Sequence, residues 1–417
     1  MELTEYKRLV PSGGGLNGSV QNYTEARDLS GILRARHDRD QSWSSYTKDT
    51  ISAKYEWIIT NSALALSILM LVMTTTSERV IFKMSVDRLS PFRFVLAISC
   101  VLVSFIVYGL ITLYKVMYTD RITTRMWQFP KRKLFVMAML DTLSFTGLVV
   151  SAADVTPTMT VILLHASTPI ICYMSQLTFP DREYSALQIK GANFIALAIA
   201  ISLARSVTDM YYQRDIKIAL SSIVYVVSAS VQGIGTLYKE KAVIEWSQQL
   251  DIHFLSTCLF FFQLLCTLTL ACVLYWIQAI HLSESFSFDV HLALGSQCLY
   301  EGSVPKRAVG QSNYNCQYGF VLVLAYVLSN AVMLECMDHV LQASSRILGR
   351  VMALSVFIAF LALGVYDNRI YSVVDVHIIG TIGLADIFSI ICLLIGIDYH
   401  GRDAEPNVEM ITSFDNT

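Results

Sequence analysis

About ten separate stretches of some 20 mostly apolar residues run along this 417-residue chain, and several hold a single carboxylate, amide or imidazole well inside the run. A hydrocarbon layer ~30 Å thick demands helices of that length, and polar residues within them mark where function concentrates. Charged residues make up 15% of the chain and apolar ones 54%, against roughly 25% charged in ordinary soluble domains. The chain is therefore read as an all-α polytopic membrane protein. A formal net charge of −2 gives no reason to expect a nucleic-acid partner.

Hydropathy places spans near Ile58–Ile81, Phe94–Tyr114, Leu134–Ala153, Thr158–Thr178, Leu187–Ser206, Ile216–Tyr238, Phe254–Ile280, Phe320–Leu341, Ile347–Tyr366 and Val376–Ile397. The stretch up to Lys54 is polar and does not read as a cleavable signal. Trp43, Tyr46, Lys54 and Trp57 suit a short interfacial helix. Arg121, Arg125 and Lys131 to Lys133 follow the second span, and Arg182, Lys239, Lys241 and Arg346 fall on the same side. Lysine and arginine favour the cytosolic face, so that side and both termini are expected in the cytosol. Lys83, Arg88, Arg93, Arg214 and Arg369 are then assigned to the opposite loops.

Seven of the nine cysteines lie in apolar spans, while Cys298 and Cys316 share the one long loop, residues 281–319, on the non-cytosolic side. Thiols oxidise there, so a disulfide between them is expected, two unrelated free thiols being the other reading. No cysteine or histidine spacing suggests a metal, and no cofactor is expected.

Five spans precede the connection at 209–215 and five follow. A 5+5 inverted repeat of ten transmembrane helices would give such a chain, with its substrate site near the midplane. The organisation expected is a tail at 1–57, five-helix repeats at 58–206 and 216–397, and a second cytosolic tail at 398–417.

The order and spacing of several segments carry a family resemblance. MLD stands at Met139–Asp141, VILLHASTPI at Val161–Ile170 and KGA at Lys190–Ala192; YKEKAVIEWSQQLDIHFLSTCLFFFQL runs from Tyr238 to Leu264; the cysteine-bearing loop follows, and the eighth span holds Asn330 and Asp338. Together they resemble the chloroquine-resistance-transporter-like family of the drug/metabolite transporter superfamily. A Gly-Pro expected around Leu354–Phe357 is absent, and Asp386 stands outside the pattern. The resemblance implies an alternating-access carrier that moves amino acids, peptides or amphipathic basic compounds, with protons, out of an acidic vacuolar or lysosomal lumen. Its partners would be a small-molecule substrate, protons and membrane lipid; the sequence leaves the oligomeric state open, with a monomer favoured.

The buried polar residues are the candidate substrate and proton sites. Asp141 stands about 10 Å into the third span at ~1.5 Å per residue. An ionised carboxylate is costly there without a partner, so Asp141 is a candidate to take up and release a proton, a locally paired structural aspartate being the other reading. Asn330 and Asp338 share one face of the eighth span, eight residues apart, and Asp338 also suits a salt bridge to Arg346 or Arg350. Glu335 and His339 are spaced to pair. Arg79 falls where the family places a cation on the cavity wall, or pairs with Glu78. His165 sits mid-span and titrates near neutrality when unperturbed. Gln263 is placed either to bind a zwitterion's carboxylate or to tie two helices together.

Against an enzyme, the spans hold no HExxH or GxSxG motif. A nucleotide-sugar or organophosphate antiporter on the same plan is the alternative, and it would want paired Lys/Arg deep in late spans; a seven-span receptor does not fit the span count. Tyr6–Leu9 and Asp28–Leu33 resemble endolysosomal sorting signals, and sequons at Asn17 and Asn22 lie in the tail read as cytosolic.

Overall fold

The computed structural model describes residues 62–119, 122, 126–179, 184–213, 216–246, 250–282, 288–302, 316–343, 345–372 and 383–402. Its helices are α1 (Ser62–Arg88), α2 (Arg93–Tyr118), α3 (Lys131–Ala152) and α4 (Pro157–Thr178). There follow α5 (Ala186–Gln213), α6 (Ile216–Ile244), α7 (Ile252–Leu282) and α8 (Phe288–Glu301). The last are α9 (Gly319–Ala343), α10 (Ser345–Ser372) and α11 (Leu384–Arg402). Among the described residues 10 helices, all but α8, are long and apolar enough to cross a bilayer. Helices close their backbone hydrogen bonds within the segment, which hydrocarbon requires.

Local signals start several of these helices. Ser185 and Gln188 form a reciprocal capping box before α5, each side chain accepting from the other's backbone N–H at 3.2 and 3.1 Å. Pro157 opens α4, where a missing N–H costs nothing. Asp251 caps α7 by accepting from the backbone N–H groups of His253 (2.9 Å) and Phe254 (3.2 Å). Leu110, Leu113, Ile223, Val227, Leu268 and Phe388 stay exposed, as lipid-facing side chains do.

The helix ends run further than hydropathy indicates. α1 continues to Arg88 because Lys83, assigned above to a loop, is buried with its ammonium fully engaged. Its three N–H donors reach Ala152 O (2.7 Å), Val155 O (2.9 Å) and Asp87 Oδ1 (2.7 Å). The first two acceptors cluster at the C-terminal end of α3, where the helix dipole favours a cation. Arg93 clamps the same α3–α4 turn through a bidentate pair to Asp154 at 3.0 and 3.2 Å. α5 runs past Ser206 to Gln213, with Arg205 paired to Asp209 at 3.5 Å and to the buried Asp386 of α11. α8, inside the long loop, is a helix that hydropathy does not reveal. A disulfide joins its Cys298 to Cys316, just before α9. The interfacial helix expected around Trp43 and the start of the tenth span at Val376 lie outside the described residues.

Packing is uneven from one end of the bundle to the other. At the end carrying α8, called here the disulfide end, one continuous core unites Phe94, Leu148, Ile162, Tyr225 and Leu363, from five helices, with Leu89 of the α1–α2 turn. At the opposite, basic end the apolar contacts split in two. One cluster holds Leu134, Met137, Ala242 and Leu255 from α3, α6 and α7. The other holds Leu71, Val72, Met337, Val340 and Leu348 from α1, α9 and α10.

Candidate functional site

Between the single core and the two separate ones lies a group of polar side chains from four helices. α4 breaks into a 3-10 turn at Leu164–Ala166, and His165 sits on that turn. The cause is Pro169, four residues on: it has no N–H to give to the carbonyl of His165, so the α-helical ladder is interrupted there. Interrupted helices inside a membrane are tolerated where they line a cavity. The guanidinium of Arg79 on α1 lies 3.4 Å from Nε2 of His165. Arginine has only donors, so this contact needs Nε2 to accept, with the imidazole neutral. Nε of Arg79 has no hydrogen-bond partner among the described residues.

Glu78, the neighbour of Arg79, interacts electrostatically with Tyr225 on α6 and Tyr326 on α9, and Tyr326 hydrogen-bonds Asn330 one turn away. One turn further along α1, Phe82 packs against Tyr326 at 5.6 Å and against Phe145 of α3 at 6.5 Å between ring centroids. Residues 76–82 are all partly accessible and none is fully exposed, as expected of a helix surrounded by protein beside an interior space. α1 is thus the axis of the cluster.

Three of the candidates from the sequence, Arg79, His165 and Asn330, come together here. Asp141 does not join them freely: its carboxylate pairs with Lys239 of α6 at 2.6 Å, on the basic side. Gln263 is buried at the α3–α7 contact, where its backbone carbonyl accepts from Thr267 at 2.8 Å. Asp338 is half-buried toward the basic end of α9. Glu335 pairs with His253 of α7 at 2.6 Å, and His339 is exposed. A surface cavity of about 270 Å³ lies at the basic end, between Lys133, Thr178, Leu237, Lys241 and Glu245, and contains none of the candidates.

Sequence reasoning missed Lys239, Tyr225 and Tyr326. Lys239 stands within a 29-residue helix, a signal that a partner was needed. The tyrosines carry no signal at all in an aromatic-rich chain.

The arrangement can hold a charged or zwitterionic solute between a lone arginine, an acid and phenolic donors, inside a bundle of ten membrane-crossing helices: the outline of a polytopic solute carrier. The family model described as CRT-like, chloroquine-resistance transporter-like, matches residues 64–397, and the chain belongs to that family. It is 23% identical over 204 residues to a chloroquine resistance transporter of Toxoplasma gondii, a match covering 48% of this chain and 23% of that protein. It is also 23% identical over 255 residues to Crt homolog 2 of Dictyostelium discoideum, covering 56% of this chain and 51% of the relative. The chain thus spans about half or less of the length of these relatives.

Proposed function

We propose that this protein is a secondary active, proton-coupled carrier. It moves small solutes such as amino acids, peptides or amphipathic basic compounds from an acidic vacuolar or lysosomal lumen to the cytosol. The observation that carries the reading is the convergence of Arg79, Glu78, Tyr225, Tyr326 and Asn330 with a helix break at His165. The name of the Toxoplasma relative supports the basic-compound part of the range. With the basic end facing the cytosol, the split packing there against the single core at the other end corresponds to a carrier open to the cytosol.

The helix pairing supports a 5+5 repeat, with α1 to α5 matched to α6, α7, α9, α10 and α11. α5 packs on α11 and α2 on α7, each pairing first-half and second-half counterparts. The contact of α3 with α7 is mirrored by that of α9 with α2. Asp141 and Lys239 form a charge pair beside the cluster, at the path by which solute leaves, with Asp338 further toward the cytosol and Gln263 buried at the neighbouring α3–α7 contact. The organophosphate alternative draws no support from α10, whose Arg350 is exposed.

The test is uptake into proteoliposomes under an imposed proton gradient, with labelled arginine, glutamate, a dipeptide, glutathione, chloroquine and a nucleotide sugar. The expected result is gradient-driven uptake of an amino acid, peptide or drug. Arg79→Ala is expected to shift the ratio of cationic to anionic uptake upward by roughly tenfold, about 1.4 kcal/mol of selectivity. Proton-independent exchange of the nucleotide sugar alone would overturn the function.

A further inference from the structure

We infer that Glu78 is the carboxylate that carries the coupling proton. This rests on the carrier reading above and assigns a role to a residue that neither the sequence pattern nor the ion pairs single out.

Thr75, Glu78 and Phe82 follow one another at helical spacing on one face of α1. Phe82 contacts α3 and α9, so that face looks into the space between them. Thr75 is buried at 1% exposure and its hydroxyl has no hydrogen-bond partner among the described residues. Glu78 likewise forms no ion pair or hydrogen bond with any described residue, although Arg79 adjoins it in sequence: the two side chains project about 100° apart, at 3.6 residues per turn. Arg79 turns instead toward His165.

The charged and titratable groups around Glu78 can be taken helix by helix. On α1 itself stands Arg79, which interacts with Glu78 electrostatically without forming a contact pair. On α6 and α9 stand the phenols of Tyr225 and Tyr326, which can donate to a carboxylate but cannot neutralise it. α4 contributes His165, held by Arg79, and α2 the buried Cys100 thiol. On α3, Phe145 meets Phe82, and one turn back from that contact Asp141 stands at the level at which Glu78 stands on α1. Asp141 is already held by Lys239. Of the two carboxylates at this level, one has a fixed counter-cation and the other has none. Glu78, with no such contact and a single offset cation beside it, is the one placed to change state. Proton uptake at Glu78 leaves the charge of Arg79 uncompensated, so an anionic or zwitterionic solute is then held more strongly, and proton release weakens it. That linkage couples the two movements.

The experiment compares Glu78→Gln, Asp141→Asn and the unaltered protein in proteoliposomes, with membrane potential clamped and labelled arginine, glutamate and glutathione as probes. One coupled proton gives roughly tenfold steady-state accumulation per pH unit. Expected are accumulation by the unaltered protein, solute that only equilibrates to near-equal concentrations on the two sides with Glu78→Gln, and retained accumulation at a lower rate with Asp141→Asn. Accumulation by Glu78→Gln at the full ratio would overturn the assignment. Infrared difference spectra of the purified protein between acid and neutral pH provide a measurement independent of transport. A carboxylic-acid band that vanishes in Glu78→Gln and shifts in Glu78→Asp supports protonation at this residue, even if no probe is transported and the carrier reading fails. A band unchanged in both variants contradicts it.

Discussion

Asp251 begins α7 and answers at once to packing, capping and charge. Partial burial works against its carboxylate form. The ammonium of Lys115 at 3.0 Å and the backbone N–H groups of Phe254 and His253 outweigh that and hold the carboxyl below its usual range. Because the folded value is depressed, the stabilisation is complete above the ordinary carboxylate value and is lost as pH falls through the folded one. The purified Asp251→Ala variant should therefore be less stable by about 1 kcal/mol at neutral pH. The gap to the unaltered protein should close on acidification below the carboxylate range, as read by thermal unfolding; a gap independent of pH would mean that the cap does not act through its charge. The central residues show what a sequence can and cannot convey at this scale. Arg79, His165 and Asn330 were legible because a polar residue amid apolar neighbours stands out. That Asp141 is paired and Glu78 is not was illegible, because it depends on which face of α6 meets α3 and on the 100° offset between two adjacent side chains of α1.

Helices are where the sequence spoke most clearly. Twenty apolar residues in a row fix the existence of a span, and all ten expected ones have counterparts among the described helices. Their ends were less legible, since hydropathy assigns Lys83 to water while its three hydrogen bonds keep it in the protein. α8 carries no membrane-length apolar run, so nothing marked it apart from the loop that contains it. Close helix contact sets a further limit at this scale. A Cβ at Gly191 on α5 would come within 2.6 Å of Gly396 O and 2.7 Å of His400 N on α11, both backbone atoms that cannot turn aside. Gly191→Val is expected to separate the two helices at a cost of about 1–3 kcal/mol, with a lower melting temperature and yield in detergent. Gly109→Ala, whose added Cβ would meet only Thr257 at 4.0 Å, serves as the control and should leave both unchanged. Equal melting temperatures for the two variants would show that α5 and α11 are not held this tightly.

At the scale of the whole molecule, one large core ties the bundle together at the disulfide end, while the basic end is held by two separate apolar clusters and by the ion pairs Lys115–Asp251, Lys133–Glu245 and His253–Glu335. The proposed solute path runs from the cluster around Arg79 and Glu78, past Asp141 and Lys239, to the cleft between those clusters. This asymmetry was not legible beforehand, because hydropathy reports which residues avoid water and not which helices touch. The family match spans residues 64–397 and so includes every residue of the central cluster. The most direct test of the account is modification of Asn330→Cys with a membrane-impermeant thiol reagent in oriented vesicles, read above the labelling of the protein's own free cysteines. The account predicts reaction from the basic side, protection by whichever labelled solute the protein transports, and loss of uptake in step with labelling. Labelling that leaves uptake intact, or reaction from neither side, would contradict a solute site at this cluster.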